Sequence, residues 1–320
     1  MASVEKSFVI ALEEHYWDKE LASHFKGGEA NNPRLRQRLE DLGEARIAAM
    51  DEAGIGFQVL SHGAPATQRL EGPGAVLLAR EVNDRLHEAV RLHPDRFSAF
   101  GVLPTSEPLA AADELERTVT RLGFKGAMVH GLANGVFFDD RRFWPIYERA
   151  QKLDVPLYIH PAIPHPAVVE AYYRDYVKDY PAILNAGWGF TVETATQAIR
   201  IVLSGVLDAY PGVKLILGHM GEGLPFSLWR IDQAMSREGN RKTSFRDAFC
   251  EHFWITTSGN FSTPALLCSI MELGVDRILF SVDWPYVESG PGVKWVQQLP
   301  LSAEDRNKIM HGNARRLLRL

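Results

Sequence analysis

Five of the 11 histidines in this 320-residue chain close short apolar runs: Glu13-Glu14-His15 after Ile-Ala-Leu, His62 after Val-Leu-Ser, His130 after Ala-Met-Val, His160 after Leu-Tyr-Ile and His219 after Ile-Leu-Gly. A further run, Leu-Phe-Ser-Val, ends in Asp283. Imidazole nitrogens and carboxylate oxygens are donor atoms for divalent first-row ions, and a mixed set of both suits Zn²⁺ or Mn²⁺. Glu13 and His15 stand two residues apart, which is the side-chain period of a strand, so both project from one face while Glu14 projects from the other. With His160 and Asp283 they make two carboxylates and two imidazoles, a set for one divalent ion. Each residue alone has a structural alternative: a strand-end histidine satisfied by hydrogen bonds, or Glu13 in an ion pair. The set of four carries the metal reading.

A second cluster is His219-Met-Gly-Glu222-Gly-Leu-Pro. Glu222 can accept from the ring of His219 and fix its tautomer, as in an acid/base or charge-stabilising pair. Alternatively it caps the helix that carries Trp229-Arg230-Ile231-Asp232. The neighbouring glycines form no phosphate loop, since neither Gly-Lys-Ser/Thr nor GxGxxG follows a strand, so no organic cofactor is expected.

These residues need a scaffold that gathers strand ends. Apolar runs at 8–12, 57–60, 97–103, 126–129, 156–159, 214–217, 253–256 and 277–280 alternate with segments of helical period at 34–53, 74–92, 110–122, 142–153, 191–209, 225–236, 264–273 and 303–318. Eight such pairs predict an α/β fold, a (β/α)8 TIM-type barrel, with residues 1–320 as a single domain and the chemistry at the C-terminal ends of the strands. Gly54 and Gly274 are placed to end helices in the left-handed conformation. A Tyr- and Pro-rich inserted loop or helical segment around 165–190 interrupts the alternation and is expected to serve as a lid or subunit contact.

Composition narrows the function. The chain is 46% hydrophobic and 23% charged with a net charge of −5, which excludes a disordered chain and offers no basic field for nucleic acid or an anionic membrane. Cys250 and Cys268 make no metal-ligand spacing and no disulfide framework, residues 1–8 hold no signal-peptide core, and no apolar run reaches membrane-spanning length. A cytoplasmic enzyme acting on a small molecule is expected.

The runs Ala-Leu-Glu13-Glu-His15, Tyr-Ile-His160-Pro, Leu-Gly-His219-Met-Gly-Glu222-Gly-Leu-Pro, Trp-Arg230-Ile-Asp, Thr-Thr-Ser-Gly-Asn260-Phe and Leu-Phe-Ser-Val-Asp283-Trp-Pro together resemble the amidohydrolase-superfamily decarboxylases of hydroxybenzoic acids. The resemblance runs from Ala11 to the terminal Asn313-Ala-Arg-Arg-Leu. It implies a distorted (β/α)8 barrel, a homotetramer or homodimer, and one Mn²⁺ or Zn²⁺ per chain held by Glu13, His15, His160 and Asp283. It further implies an acid/base pair at His219 and Glu222, and Arg230 near the substrate carboxylate, reaching a neighbouring subunit. The sequence departs from the family pattern at His62, at His130 and in the loop carrying Tyr16, Trp17, His24 and Phe25; His62, His130 and Phe25 are expected to line the substrate pocket.

The chemistry implied is non-oxidative, reversible loss of CO₂ from an ortho-hydroxybenzoic acid such as 2,6- or 2,3-dihydroxybenzoate. Decarboxylation leaves an aryl carbanion unless the carbon bearing the carboxylate is protonated first, and Asp283 is the expected proton donor. A metal-dependent lactonase or amidase, with Asp283 activating a water, is the alternative; Glu-x-His in place of His-x-His on the first strand favours the decarboxylase.

Overall fold

The structure, a computed structural model, describes residues 8–25, 32–238 and 243–320. Nine strand segments occur among them: β1 (Ile10–Tyr16), β2 (Phe57–His62), β3 (Phe97–Ala99), β4 (Gly101–Val102), β5 (Ala127–His130), β6 (Pro156–His160), β7 (Lys214–Leu217), β8 (Phe253–Thr256) and β9 (Ile278–Leu279). All pair in parallel, in the orders β1-β2-β3 and β4-β5-β6-β7-β8-β9. The run expected as one strand over 97–103 is β3 and β4, parted at Phe100, whose N–H donates to Leu60 O at 2.9 Å while Gly101 N–H donates to Gly126 O at 2.9 Å. At the other seam Leu12 N–H donates to Phe280 O at 3.2 Å and Leu12 bridges Ser281. The two sheets therefore close into one distorted (β/α)8 barrel.

Side chains alternate between the two faces of the wall. Ile10, Leu12, Val59, Phe100, Met128, Tyr158, Ile216 and Leu279 fill the barrel interior, and Leu317 and Leu318 of the last helix pack against them. Val9, Ala11 and Leu60 join the larger cluster formed with the helices. In the helix Gly72–Leu92 the buried Ala75, Leu78, Ala79, Val82 and Leu86 recur at the helical period. Truncating one of the large core side chains to alanine costs about 2–5 kcal/mol, so this layer makes the barrel a rigid platform.

Several expected helices are subdivided. The segment over 34–53 is two helices, Pro33–Glu40 and Glu44–Ala53, because Asp41 Oδ1 accepts from Gly43 N–H and Arg46 N–H and starts the second one afresh. The segment over 191–209 breaks at Gly205, which has φ 86°. Helices Lys19–Ser23, Phe245–His252 and Ser289–Gln297 were not expected. Gly54 ends its helix in the left-handed region as expected; Gly274, at φ 85° and ψ 152°, also needs glycine but lies outside that region. The inserted segment consists of short turns, Pro166–Val168, Val169–Tyr173 and Pro181–Leu184, leading into the helix Gly189–Leu203. No helix among the described residues is long and apolar enough to cross a membrane.

Candidate metal centre

The centre depends on a local fault in β1. Ile10 and Leu12 face the barrel interior, so strict alternation would send Glu14 inward and turn Glu13 and His15 to the outer wall. Instead the register with β2 shifts between Ala11 and Glu14, and Glu13 adopts φ 56°. This bulge inserts one residue and reverses the phase of the strand. Glu13 and His15 then both face the centre, and Glu14 turns to the outer wall, where its Oε2 accepts from Gln58 Nε2 at 3.0 Å.

One donor atom from each of Glu13, His15, His160 and Asp283 lies within 4.8 Å of the other three. Glu13 Oε2 accepts from Tyr158 Oη and Ser258 Oγ, which leaves Oε1 buried with no hydrogen-bond partner, 3.2 Å from His160 Nε2. His15 Nδ1 lies 3.2 Å from Ser61 Oγ, and its buried Nε2 has no hydrogen-bond partner and points to Asp283 Oδ1 at 3.3 Å. His160 Nδ1 lies 2.8 Å from Pro161 O, which fixes the proton there and leaves a lone pair on Nε2. Both rings thus present Nε2 to the same point, with Nδ1 engaged by a second partner, as in metal-ligating histidines generally. Orphaned, buried, lone-pair atoms that converge fit a divalent cation.

Electrostatics agree. Burial opposes charge on Glu13, but the groups around it, His219 foremost, outweigh it and hold its carboxyl well below the ordinary range. His219 Nδ1 meets Glu222 Oε1 at 2.8 Å, and its Nε2 lies 3.7 Å from Glu13 Oε1 and 3.9 Å from Asp283 Oδ2. Burial lowers its affinity for a proton, yet Glu222, Glu13 and Asp283 raise it well above the ordinary value. Glu222 Oε2 is buried with no hydrogen-bond partner, so the carboxylate serves the ring of His219. The side chains of Glu13 and His15 are 0% exposed, while Asp283 is 18% and His219 24% exposed. The open side of the centre is therefore bordered by Asp283 and His219.

The remaining expected site residues divide. His130 is buried with Nδ1 3.0 Å from His160 Nδ1, and it also lines a cavity of about 540 Å³ with Arg69, Ala162, Ile163 and Leu184. His62 Nδ1 lies 2.8 Å from Gly63 O and its Nε2 accepts from Asp18 N–H at 3.1 Å. Both ring nitrogens are engaged by backbone, so His62 also ties the end of β2 to the loop at Asp18. Phe25 packs beside Leu21, Ala66 and Leu78. Arg230 is exposed on the helix Leu224–Glu238, next to the 67% exposed Trp229, and forms no ion pair among the described residues. Tyr158, Ser258 and Ser61 were missed; Tyr158 stands two residues before His160 and Ser61 two after the inward Val59, so strand period could have found both.

A model of the amidohydrolase family matches residues 13–320. The chain belongs to the amidohydrolase family. This amidohydrolase is 42% identical over 325 residues to a gamma-resorcylate decarboxylase of Polaromonas sp. (strain JS666 / ATCC BAA-500), covering 97% of this chain and 98% of that one. It is similar to the crystal structure of 2,6-dihydroxybenzoate decarboxylase complexed with 2,6-dihydroxybenzoate, at a TM-score of 0.90 and 40% identity over 98% of this chain and 100% of the other. A dihydroxybenzoic acid decarboxylase from Polaromonas sp. JS666, with bound manganese and the inhibitor 2-nitroresorcinol, superposes at a TM-score of 0.91 with 41% identity, covering 98% of this chain and 97% of that one.

Proposed function

We propose that this amidohydrolase catalyses the metal-dependent, non-oxidative decarboxylation of an ortho-hydroxybenzoic acid, of which 2,6-dihydroxybenzoate (γ-resorcylate) is the leading substrate and 2,3-dihydroxybenzoate the next. The observation that carries this reading is the convergence of Glu13, His15, His160 and Asp283 within 4.8 Å, in a chain so similar throughout to gamma-resorcylate decarboxylases. One Mn²⁺ or Zn²⁺ per chain, held by those four residues, supplies Lewis acidity toward the substrate carboxylate and its ortho oxygen.

Asp283, on the open side, takes up a proton as the substrate's own carboxylate comes beside it, delivers that proton to the ring carbon that bears the carboxylate and returns to its carboxylate form. That carbon becomes tetrahedral, with the ortho hydroxyl's electrons feeding the ring. The bond to the carboxylate then breaks, its electron pair restores aromaticity, and CO₂ leaves. His219, kept cationic by Glu222, offsets negative charge beside Asp283 while the proton moves. His130 borders a cavity of about 540 Å³, within the size range of small-molecule sites; Phe25, packed beside Leu21, Ala66 and Leu78, and His62 are further pocket residues. Arg230, exposed and without an ion pair among the described residues, reaches the substrate carboxylate of a neighbouring subunit in a homodimer or homotetramer. Residues 1–320 act as one domain, and the free Cys250 and Cys268 suit a reducing cytoplasm.

The test is CO₂ release by Mn²⁺-loaded protein from a panel of hydroxybenzoates, run beside a panel of lactones and amides. Turnover of 2,6-dihydroxybenzoate is expected; hydrolysis without CO₂ release would overturn the reading in favour of a hydrolase.

A further inference from the structure

Behind the centre, on the outer face of β1, lies a fully buried polar chain that the decarboxylation itself does not use. Glu14 Oε1 accepts from Val282 N–H at 2.9 Å, and its Oε2 accepts from Gln58 Nε2 at 3.0 Å. Gln58 Oε1 in turn accepts from Arg46 Nε at 2.8 Å, and Arg46 Nη1 donates to His15 O at 2.9 Å. The Arg46 guanidinium also stacks 4.2 Å above the ring of Trp284, and His15 N–H donates to Trp284 O at 2.7 Å. Glu14, Gln58 and Arg46 are 0%, 1% and 1% exposed.

Both ends of this chain finish beside candidate ligands. Val282 and Trp284 flank Asp283, and the remaining bonds grip the backbone of His15. Asp283 at φ 69° and Glu13 at φ 56° are non-glycine residues in the left-handed region, a conformation that persists only where surrounding contacts over-determine it. Burying a carboxylate and a guanidinium brings little net stability, because desolvation offsets the attraction. Here an amide stands between the two charges, so the carboxylate and guanidinium attract only across it. What the arrangement provides is fixed geometry: one frame tying β1, β2 and the segment after β9 through the residues next to His15 and Asp283.

We propose that Glu14, acting through Gln58 and Arg46, is a positioning residue that holds His15 and Asp283 in register for the metal ion. This rests on the reading of Glu13, His15, His160 and Asp283 as the ligands. Glu14→Gln places an amide N–H against Gln58 Nε2, two donors face to face, and breaks the chain of bonds. Exchanging the two groups, Glu14→Gln with Gln58→Glu, restores every bond: the amide introduced at position 14 accepts from Val282 N–H and donates to the carboxylate introduced at position 58, which accepts from Arg46.

The experiment is Mn²⁺ titration of the metal-stripped full-length protein by calorimetry, with a thermal melt of each sample. Glu14→Gln should bind Mn²⁺ ~10- to 100-fold more weakly, the usual scale for removing an outer partner of a ligand, and the double variant should regain the affinity. The proposal is overturned if Glu14→Gln keeps wild-type affinity, or if the double variant melts like wild type yet stays weak. Should Glu14→Gln fail to fold, the folded double variant alone decides by the same criterion. His15→Ala is the control: if it too keeps wild-type affinity, the ligand reading fails, which is distinguishable from loss of the positioning role alone.

Discussion

Asp283 and His219 face each other across the open side of the metal centre, Oδ2 to Nε2 at 3.9 Å. Both side chains border the open side of the centre, whereas Glu13 and His15 are buried. If Asp283 is the proton donor, Asp283→Asn should lose ~10²-fold or more in turnover of 2,6-dihydroxybenzoate at saturating Mn²⁺, the usual scale for a missing general acid. The check is turnover together with deuterium incorporation at the ring carbon in D₂O. Activity restored by added metal alone would reduce Asp283 to a ligand and leave His219 as the acid.

The protein should hold about one equivalent of Mn²⁺ per chain, and His160→Ala should lose both metal and activity. Folding should survive, because residues at the C-terminal ends of barrel strands serve the site more than the core. Elemental analysis after growth with Mn²⁺, paired with circular dichroism, measures both. Full metal content in the variant would place His160 outside the ligand set.

Glu222→Gln keeps the shape of the side chain but removes the charge that faces His219 Nδ1 at 2.8 Å. His219 should hold its proton less tightly, and kcat should fall ~10- to 100-fold while KM changes little, since binding of the acid does not depend on Glu222. The magnitude corresponds to the ~1.5–3 kcal/mol of a charged hydrogen bond. Steady-state kinetics in both variables decides it; a rise in KM with kcat unchanged would move the pair to substrate binding.

His62 gives a pH dependence to stability. Burial lowers its pKa from 6.5 to about 4, and its neutral Nε2 must accept from Asp18 N–H. The unfolded chain takes up a proton below pH 6.5 and the folded one only near pH 4, so this contribution is complete above pH 6.5 and is lost as pH falls toward 4. The loss is on the order of 3 kcal/mol. Urea unfolding at pH 7, 5.5 and 4.5 should show a steeper decline in wild type than in His62→Gln, whose amide oxygen can accept without titrating. Equal slopes would remove His62 as the cause.

Arg230→Ala should leave the melting temperature unchanged, because the side chain is exposed and forms no ion pair among the described residues. If it binds the carboxylate of a neighbouring subunit's substrate, KM should rise ~10-fold or more, the scale of a charged hydrogen bond. Kinetics at several protein concentrations test this; an unchanged KM would confine Arg230 to the surface.

The alternation of apolar runs with helical segments was enough to read the barrel, because period-two and period-3.6 patterns are local properties of the chain. The same holds for the ligand set: a barrel brings its strand ends together, so Glu13, His15, His160 and Asp283 could be grouped from their positions at the ends of runs. His219 and Glu222, three residues apart, were likewise legible as a pair. What local pattern could not decide is how these side chains are phased and supported. Strict alternation from Ile10 and Leu12 turns Glu13 outward; only the bulge against β2, a matter of register between strands more than 40 residues apart, brings it in. His62 ends its strand as His160 does, yet faces the loop at Asp18. The Glu14–Gln58–Arg46 chain joins residues whose types are ordinary when taken singly. Hydrogen bonds of this kind depend on which atoms the folded wall sets within about 3 Å of one another, and that is fixed by tertiary packing and not by spacing along the sequence.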